Sequence, residues 1–360
     1  MSSRSKRFHL VSSGFLEAFL AKHQASLAVS TYQAGRVILL FGQSEKLHQV
    51  VRRFRRPMGM AYREETLIVA TKHELVLLHG VGAAAAGYPK APGRYDALFM
   101  PRARWITGAL DLHDLHILPD RTVLGVNTLF SSITRFDGSG DQSTVWKPPF
   151  ITDQRPSDAC HLNGMAVSGD DPAFVTLLAP TVMRKGWRAN RLASGQILRI
   201  RDNALVADGL PMPHSPRLYA GNLYWLHAAT GALMVAPVGA PSSERLHATE
   251  ICRVGGFARG LAIQDDVALV GHSHIRPGTT FADLPVASSA TKAGITAIDL
   301  KTGNTLGKAV YHTDCHEIYD LQWLPNQPRP GLVGIMDDLH TLNVHHEDRF
   351  YWSQKAKPKN

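Results

Sequence analysis

The chain has little cysteine. Cys160, Cys252 and Cys315 make an odd count among 360 residues and form no CxxC pair, which argues against a disulfide framework or a cysteine-rich zinc site. They read as reduced thiols. Long apolar runs are also missing: nothing approaches the roughly 18 residues of a membrane span, and Leu16 to Leu20 is too short and interrupted for a signal-peptide core. The expectation is a cytoplasmic protein with no membrane partner. Helical periodicity is confined to Phe15 to His23, and no βαβ alternation is visible, so an α/β fold lacks support. No GxSxG elbow, P-loop, HExxH or GxGxxG lies in a suitable context. The reaction classes that depend on those motifs lose their usual support.

The formal charge of +9 raises nucleic acid as a partner. The one dense cluster, Arg52, Arg53, Arg55 and Arg56, ends an alternating stretch, reads more simply as a solvated strand edge, and has no nucleic-acid motif beside it. Nucleic-acid binding is therefore disfavoured.

What the chain does have is internal repetition. A short apolar strand with a small or polar residue near its centre recurs around Gly59, Asp114, Gly164, Pro216, Gly260 and Asp320, a period of 44 to 60 residues that signals an array or propeller. Second strands are expected at Leu67 to Thr71, Val123 to Thr128, Phe174 to Ala179, Leu223 to Ala228, Val267 to Gly271 and Leu332 to Met336, and third strands follow in most units. Ser26 to Tyr32, Arg36 to Phe41 and Leu47 to Phe54 look like strands of a further blade, which pairing of the chain ends would complete. The reading is an all-β propeller of six or seven blades, seven favoured, spanning 1–360 as one domain, with an N-terminal extension over 1–25 that carries a short helix and a C-terminal tail over 347–360. The segments from Gly82 to Arg104 and from Pro180 to Ser194 are expected to lie over one face, where function is usually carried.

First strands line a propeller's channel. Just before each landmark stand Met58, His113, Asn163, Ser215, Arg259 and Tyr319, and two residues further back stand Arg56, Asp111, His161, Pro213, Phe257 and Glu317. By the period of two these share a face. His214 falls one position off, but irregular backbone between Pro213 and Pro216 could turn it inward. Imidazoles from different blades can converge on one ion, so His113, His161 and His214 are proposed as metal ligands. Glu317 or His316 is the fourth participant, and Fe(II) is favoured over Cu or Zn. For any one histidine, a hydrogen-bonded channel residue is the simpler reading. Three at near-equivalent positions put the two readings on a level, because unpaired buried polar groups cost roughly 1 to 3 kcal/mol each.

Arg217 and Arg259 are candidates to hold a substrate carboxylate, with a channel salt bridge to Asp111 or Glu317 as the alternative. Asn163 is a further substrate-binding candidate, and Trp187 could close as a lid or simply anchor its loop. His272 and His274 read as a solvated pair, His116 as packed between blades, and His345 and His346 as surface residues. Cys160 and Cys315 read as buried, inert thiols.

Ser30 to Arg36, Arg56 to Ala61, Cys160 to Ala166, Met212 to Arg217 and Gly256 to Leu261 together resemble a bacterial family of conserved hypothetical proteins of unknown function, over about Ser30 to Pro325. The resemblance implies that His113, His161, His214, Trp187, Arg217, Arg259 and Glu317 matter jointly. The chain departs from that family's pattern at Tyr95, His272, His274 and His316, which leaves Glu317 as the better fourth participant. Carotenoid-cleaving oxygenases offer a looser analogy, at the level of fold alone.

The functional expectation is a metal-dependent enzyme, an iron oxygenase as the leading form, acting on a small anionic or peptidic substrate. Glu317 and Arg259 are its catalytic residues, and Arg217, Arg259, Trp187 and Asn163 bind substrate. The alternatives are a non-catalytic propeller that binds a protein or small ligand, and a lactonase-like or lyase-like hydrolytic propeller.

Overall fold

The structure is a computed structural model that describes residues 8–239, 245–275, 278, 281–336, 338–347 and 349–353. Of the expected tail, 348 and 354–360 lie outside the described residues, as do 1–7 of the N-terminal extension. Short strands rich in Val, Ile and Leu, broken by Gly, Asp and Asn turns, build six antiparallel sheets, and their six innermost strands contact one another in a closed cycle.

Blade 1 joins Ser26–Thr31, Arg36–Gln43 and Lys46–Arg53 to an innermost strand, Asp320–Leu324, from the other end of the chain. This is the closure expected from the sequence. The other innermost strands are Met60–Arg63, Leu112–Ile117, Leu162–Ser168, Pro213–Tyr219 and Phe257–Gln264, which open blades 2 to 6. Every recurring landmark found in the sequence lies in or at the start of one of them.

The favoured seventh blade is not present. Leu332 to Met336 is not a second strand; instead Pro330–Leu332 runs parallel to Ala97–Ile106 and extends the outer edge of blade 2. Leu10–Ser12 does the same for blade 6, pairing with Thr305–Tyr311. Both additions cover edges that would otherwise be open to pairing. The segment Gly82 to Arg104 also differs from expectation. It forms a short helix, Gly82–Ala86, and then most of the outer strand of blade 2, so it does not roof a face. The N-terminal helix, Phe15–Lys22, buries Leu16, Phe19 and Leu20 against the outer face of the ring.

The ring's centre is held by close backbone approach. A Cβ on Gly59 would sit 2.7 Å from the His113 carbonyl, and one on Gly260 2.9 Å from the Leu321 nitrogen, so these landmark positions admit no side chain without backbone movement. At the same register, two carboxylates reach across to the next blade. Asp114 Oδ2 accepts from the Met165 N–H and Asp320 Oδ2 from the Met60 N–H. Second-strand hydroxyls repeat the motif, with Ser30, Thr128 and Ser273 donating to the carbonyls of Met58, Leu162 and Ile318 on the neighbouring innermost strands.

Candidate active site

The residues that lead into the innermost strands break the period of two. Arg56, Asp111 and His161 hold φ between 49° and 52°, a left-handed conformation uncommon for residues with a Cβ. In blade 5 Met212 and Ser215 do so, and the register slips between His214 and Arg217. That slip is the irregularity expected to reorient His214. The entry turns thus place the three histidines at the starts of three consecutive blades.

His113 and His161 meet edge-to-face with ring centroids 4.8 Å apart. His113 also lies 5.5 Å from the Tyr319 ring, and His161 packs 4.4 Å from Trp187. His214, only 3% exposed, lies 6.2 Å from Phe257. Burial, followed by the neighbouring charges of His161 and Arg259, holds the His113 pKa well below the ordinary imidazole value. Burial and then Arg259 do the same for His214. Both rings are neutral at physiological pH.

Their hydrogen bonds fix the tautomers. His113 Nδ1 lies 2.9 Å from the Asp111 carbonyl and His214 Nδ1 3.1 Å from the Met212 carbonyl. A carbonyl only accepts, so each Nδ1 carries the proton and each Nε2 keeps its lone pair. Thr128, whose hydroxyl donates to Leu162, receives the same His113 proton at 2.7 Å. His161 is oriented by a carboxylate instead: its Nδ1 lies 2.8 Å from Asp158 Oδ1, while the Trp187 indole N–H donates to Asp158 Oδ2 at 3.0 Å. Asp158 is 9% exposed and precedes His161 by three residues in the entry turn. It went unremarked in the sequence, where a lone aspartate in a loop carries no motif. Its signal was an acid three residues before an axial histidine.

Arg259 lies flat on Tyr319, its guanidinium carbon 3.7 Å from the ring centroid, and 3.9 Å from Glu317 Oε1. Glu317 Oε2 accepts from the Gln33 N–H at 3.3 Å. Arg259 thus pairs with Glu317, and its charge acts on His113. Among the described residues the hydroxyl of Tyr319, which is 4% exposed, has no hydrogen-bond partner, and neither does the Asn163 Nδ2 amide, whose Oδ1 accepts from Thr176.

Arg217 takes the salt-bridge alternative weighed from sequence, with other partners. Its guanidinium is held by the channel itself, with Nη1 2.8 Å from Asp114 Oδ2 and Nη2 3.7 Å from Asp320 Oδ1. This salt bridge takes the place of a substrate carboxylate, and its partners are not the Asp111 or Glu317 considered from sequence. His272 is also not solvated. It is 6% exposed, its Nδ1 bonds the Lys292 carbonyl, and burial pulls its pKa down to about 4. His274 and His316 form a rim pair with rings 5.8 Å apart. His116 bridges blades 3 and 4 through Asp170, as expected of a residue packed between blades. Cys160 and Cys315 are buried thiols with pKa raised to about 12 by burial, too high for thiolate chemistry.

Imidazole Nε2 donors suit a transition metal chemically. Among the described residues, however, no three His, Cys, Asp or Glu side chains stand close enough together to hold an ion. As placed, they do not fit the expected metal. Nor is any helix long and apolar enough to cross a membrane.

The profile of a family described as "Domain of unknown function (DUF4915)" matches residues 14–333. No curated protein matches the chain in sequence. Among solved structures, the chain is similar to one chain of a nidogen/laminin complex, with TM-score 0.50, 10% identity, and coverage of 84% of this chain and 99% of that one. It is also similar to a gluconolactonase of Xanthomonas campestris (TM-score 0.47, 13% identity, coverage 86% and 89%). A periplasmic gluconolactonase of Pseudomonas aeruginosa gives TM-score 0.48 at 12% identity, with coverage of 83% and 99%. At 10% identity the first of these likenesses speaks to fold alone.

Proposed function

This chain belongs to the DUF4915 family, and we propose that it is an acid–base enzyme, a hydrolase or lyase, that acts on a small anionic substrate at the mouth of its propeller. The observation that carries the reading is the Asp158–His161 dyad. A buried carboxylate fixes the Nδ1–H tautomer, orients the ring and stabilises the imidazolium that forms when Nε2 takes a proton, which is what a general base requires. His113 stands beside it as a neutral imidazole able to accept or relay that proton. Arg259, whose one carboxylate neighbour among the described residues is Glu317, keeps N–H donors for a substrate oxyanion. The Tyr319 hydroxyl and the Asn163 amide are buried donors without acceptors among the described residues, which a ligand rich in oxygen would satisfy. The lactonase-like or lyase-like alternative read from sequence is the form that this chemistry takes, with histidine in place of the carboxylates of a calcium site. Three unpaired thiols suit a reducing, cytoplasmic setting.

The test is turnover of a panel of lactones, aryl esters and β-substituted carboxylates by wild type, His161→Ala and Asp158→Asn. Loss of the base lowers kcat by about 10²- to 10⁴-fold; equal rates in the three proteins would remove the dyad from the mechanism.

The second reading is a metal enzyme in which the three bare Nε2 atoms bind Fe(II), Cu or Zn, and it requires the histidines to draw together. Elemental analysis after chelator-free, anaerobic purification decides it. Stoichiometric metal in wild type that is absent from His161→Ala supports this reading and displaces the acid–base one.

A further inference from the structure

A cleft of about 630 Å³ opens between blades 2 and 3 at the end of the ring opposite the histidines. Its walls include the hairpin turns after Met60–Arg63 and Leu112–Ile117, so it lies about 17 Å along the innermost strand from His113. The outer wall is the C-terminal hairpin, Asn343–His346 with Arg349–Trp352, which contributes His345 and Phe350. That hairpin lies beyond the residues that match the family profile. It is docked by design of the sequence: Trp352 donates to the Ala84 carbonyl, and Arg102 bonds Asn343 and lies over the Phe350 ring.

The cleft gathers positive charge around an apolar floor of Ile68, Leu77 and Val81. Arg63 is neutralised by Asp170 and Glu64. Arg102 and Arg121 have no carboxylate partner among the described residues, and both their charges press on His79, as does that of His345. Glu65 is the one carboxylate that opposes them there. Burial lowers the pKa of Arg102, the sign of a guanidinium partly stripped of water without an anion to replace it.

We propose that this cleft is a second ligand site, distinct from the axial one, for a small molecule that joins a phosphate or sulfate group to an apolar or aromatic body. Arg102 and Arg121 hold the oxyanion, and Phe350, Leu77 and Val81 hold the body. The volume falls in the range of small-molecule sites, and paired guanidiniums are the usual grip on such oxyanions.

Phenyl phosphate is the probe, titrated by calorimetry into the Arg259→Ala protein so that the axial site does not contribute, with phenol and inorganic phosphate as the partial ligands. Phenyl phosphate should bind more tightly than either partial ligand and lose at least about tenfold in affinity on Arg121→Glu, a change at an exposed side chain that leaves the melting temperature unchanged. Arg102→Ala should weaken binding similarly. No binding at millimolar phenyl phosphate, equal affinity for phenol, or affinity unchanged by Arg121→Glu and Arg102→Ala overturns the proposal. Each of these outcomes is independent of whether the axial dyad is catalytic.

Discussion

Asp158 and His161 face each other at 2.8 Å across a single turn, both with left-handed backbone, and the carboxylate oxygen that His161 does not use is taken by the Trp187 indole. Trp187 is thus bound to the dyad and is more than the loop anchor or lid weighed from sequence. Trp187→Phe keeps the ring beside His161 but leaves a buried carboxylate one donor short. Stability should fall by about 1 to 3 kcal/mol in urea unfolding, and turnover by about tenfold, equivalent to roughly 1.4 kcal/mol of barrier. Unchanged values in both would leave Trp187 as packing alone.

Arg217 stands between two buried aspartates, and removing it leaves both carboxylates without their cation. Arg217→Met should cost about 3 to 5 kcal/mol, measured by chemical denaturation, even though no substrate contact is lost.

The same cluster predicts a pH dependence. Burial and then the charge of Asp114 raise the Asp320 pKa to about 7, whereas in the unfolded chain an aspartate titrates near about 4. The folded state then binds the proton more tightly. The stability contributed by protonated Asp320 is fully present below about 4 and is lost as pH rises through about 7. His227 and His272, both lowered to about 4 by burial, oppose this, because what they contribute is lost as pH falls from 6.5 toward 4. Comparison with Asp320→Asn isolates the aspartate. The stability of wild type relative to the variant should decline between pH 4 and 7, and a difference independent of pH would contradict the assignment.

Gly59 is required by approach, not by dihedral angle. Gly59→Ala brings a Cβ to 2.7 Å from the His113 carbonyl and should cost about 1 to 3 kcal/mol. Because that carbonyl belongs to a site residue, histidine side-chain NMR should show the His113 resonance move while that of His272 stays fixed. A neutral substitution would mean that the innermost strands separate easily.

The repeat of apolar landmarks made the innermost strands legible in the sequence, because each combines hydrophobic residues with a small or acidic residue that the crowded centre demands. The blade count was harder to read. Leu332 has the composition of any core strand, and only the closed ring decides that its segment extends an edge instead of opening a blade. His113, His161 and Arg259 were found by alignment, yet the alternation used to place them fails at Arg56, Asp111 and His161, where left-handed residues turn the chain. For Arg217 a channel salt bridge was weighed from sequence, but its partners were not legible, for a related reason. Asp114 and Asp320 were both identified as landmarks, but nothing local to either shows that they converge on one guanidinium 103 residues from Asp114.

In the proposed site Asp158 orients His161 and Arg259 holds the anionic ligand, and nitrogen-15 NMR of the histidine side chains at pH 7.5 tests this most directly. For His113 and His214 the spectra should show the proton on Nδ1 and an unprotonated Nε2. Adding a small carboxylate such as benzoate should shift the His161 Nε2 resonance in wild type but not in Arg259→Ala. A proton found on Nε2 of His113 or His214, or spectra that benzoate leaves unchanged in wild type, would contradict this reading.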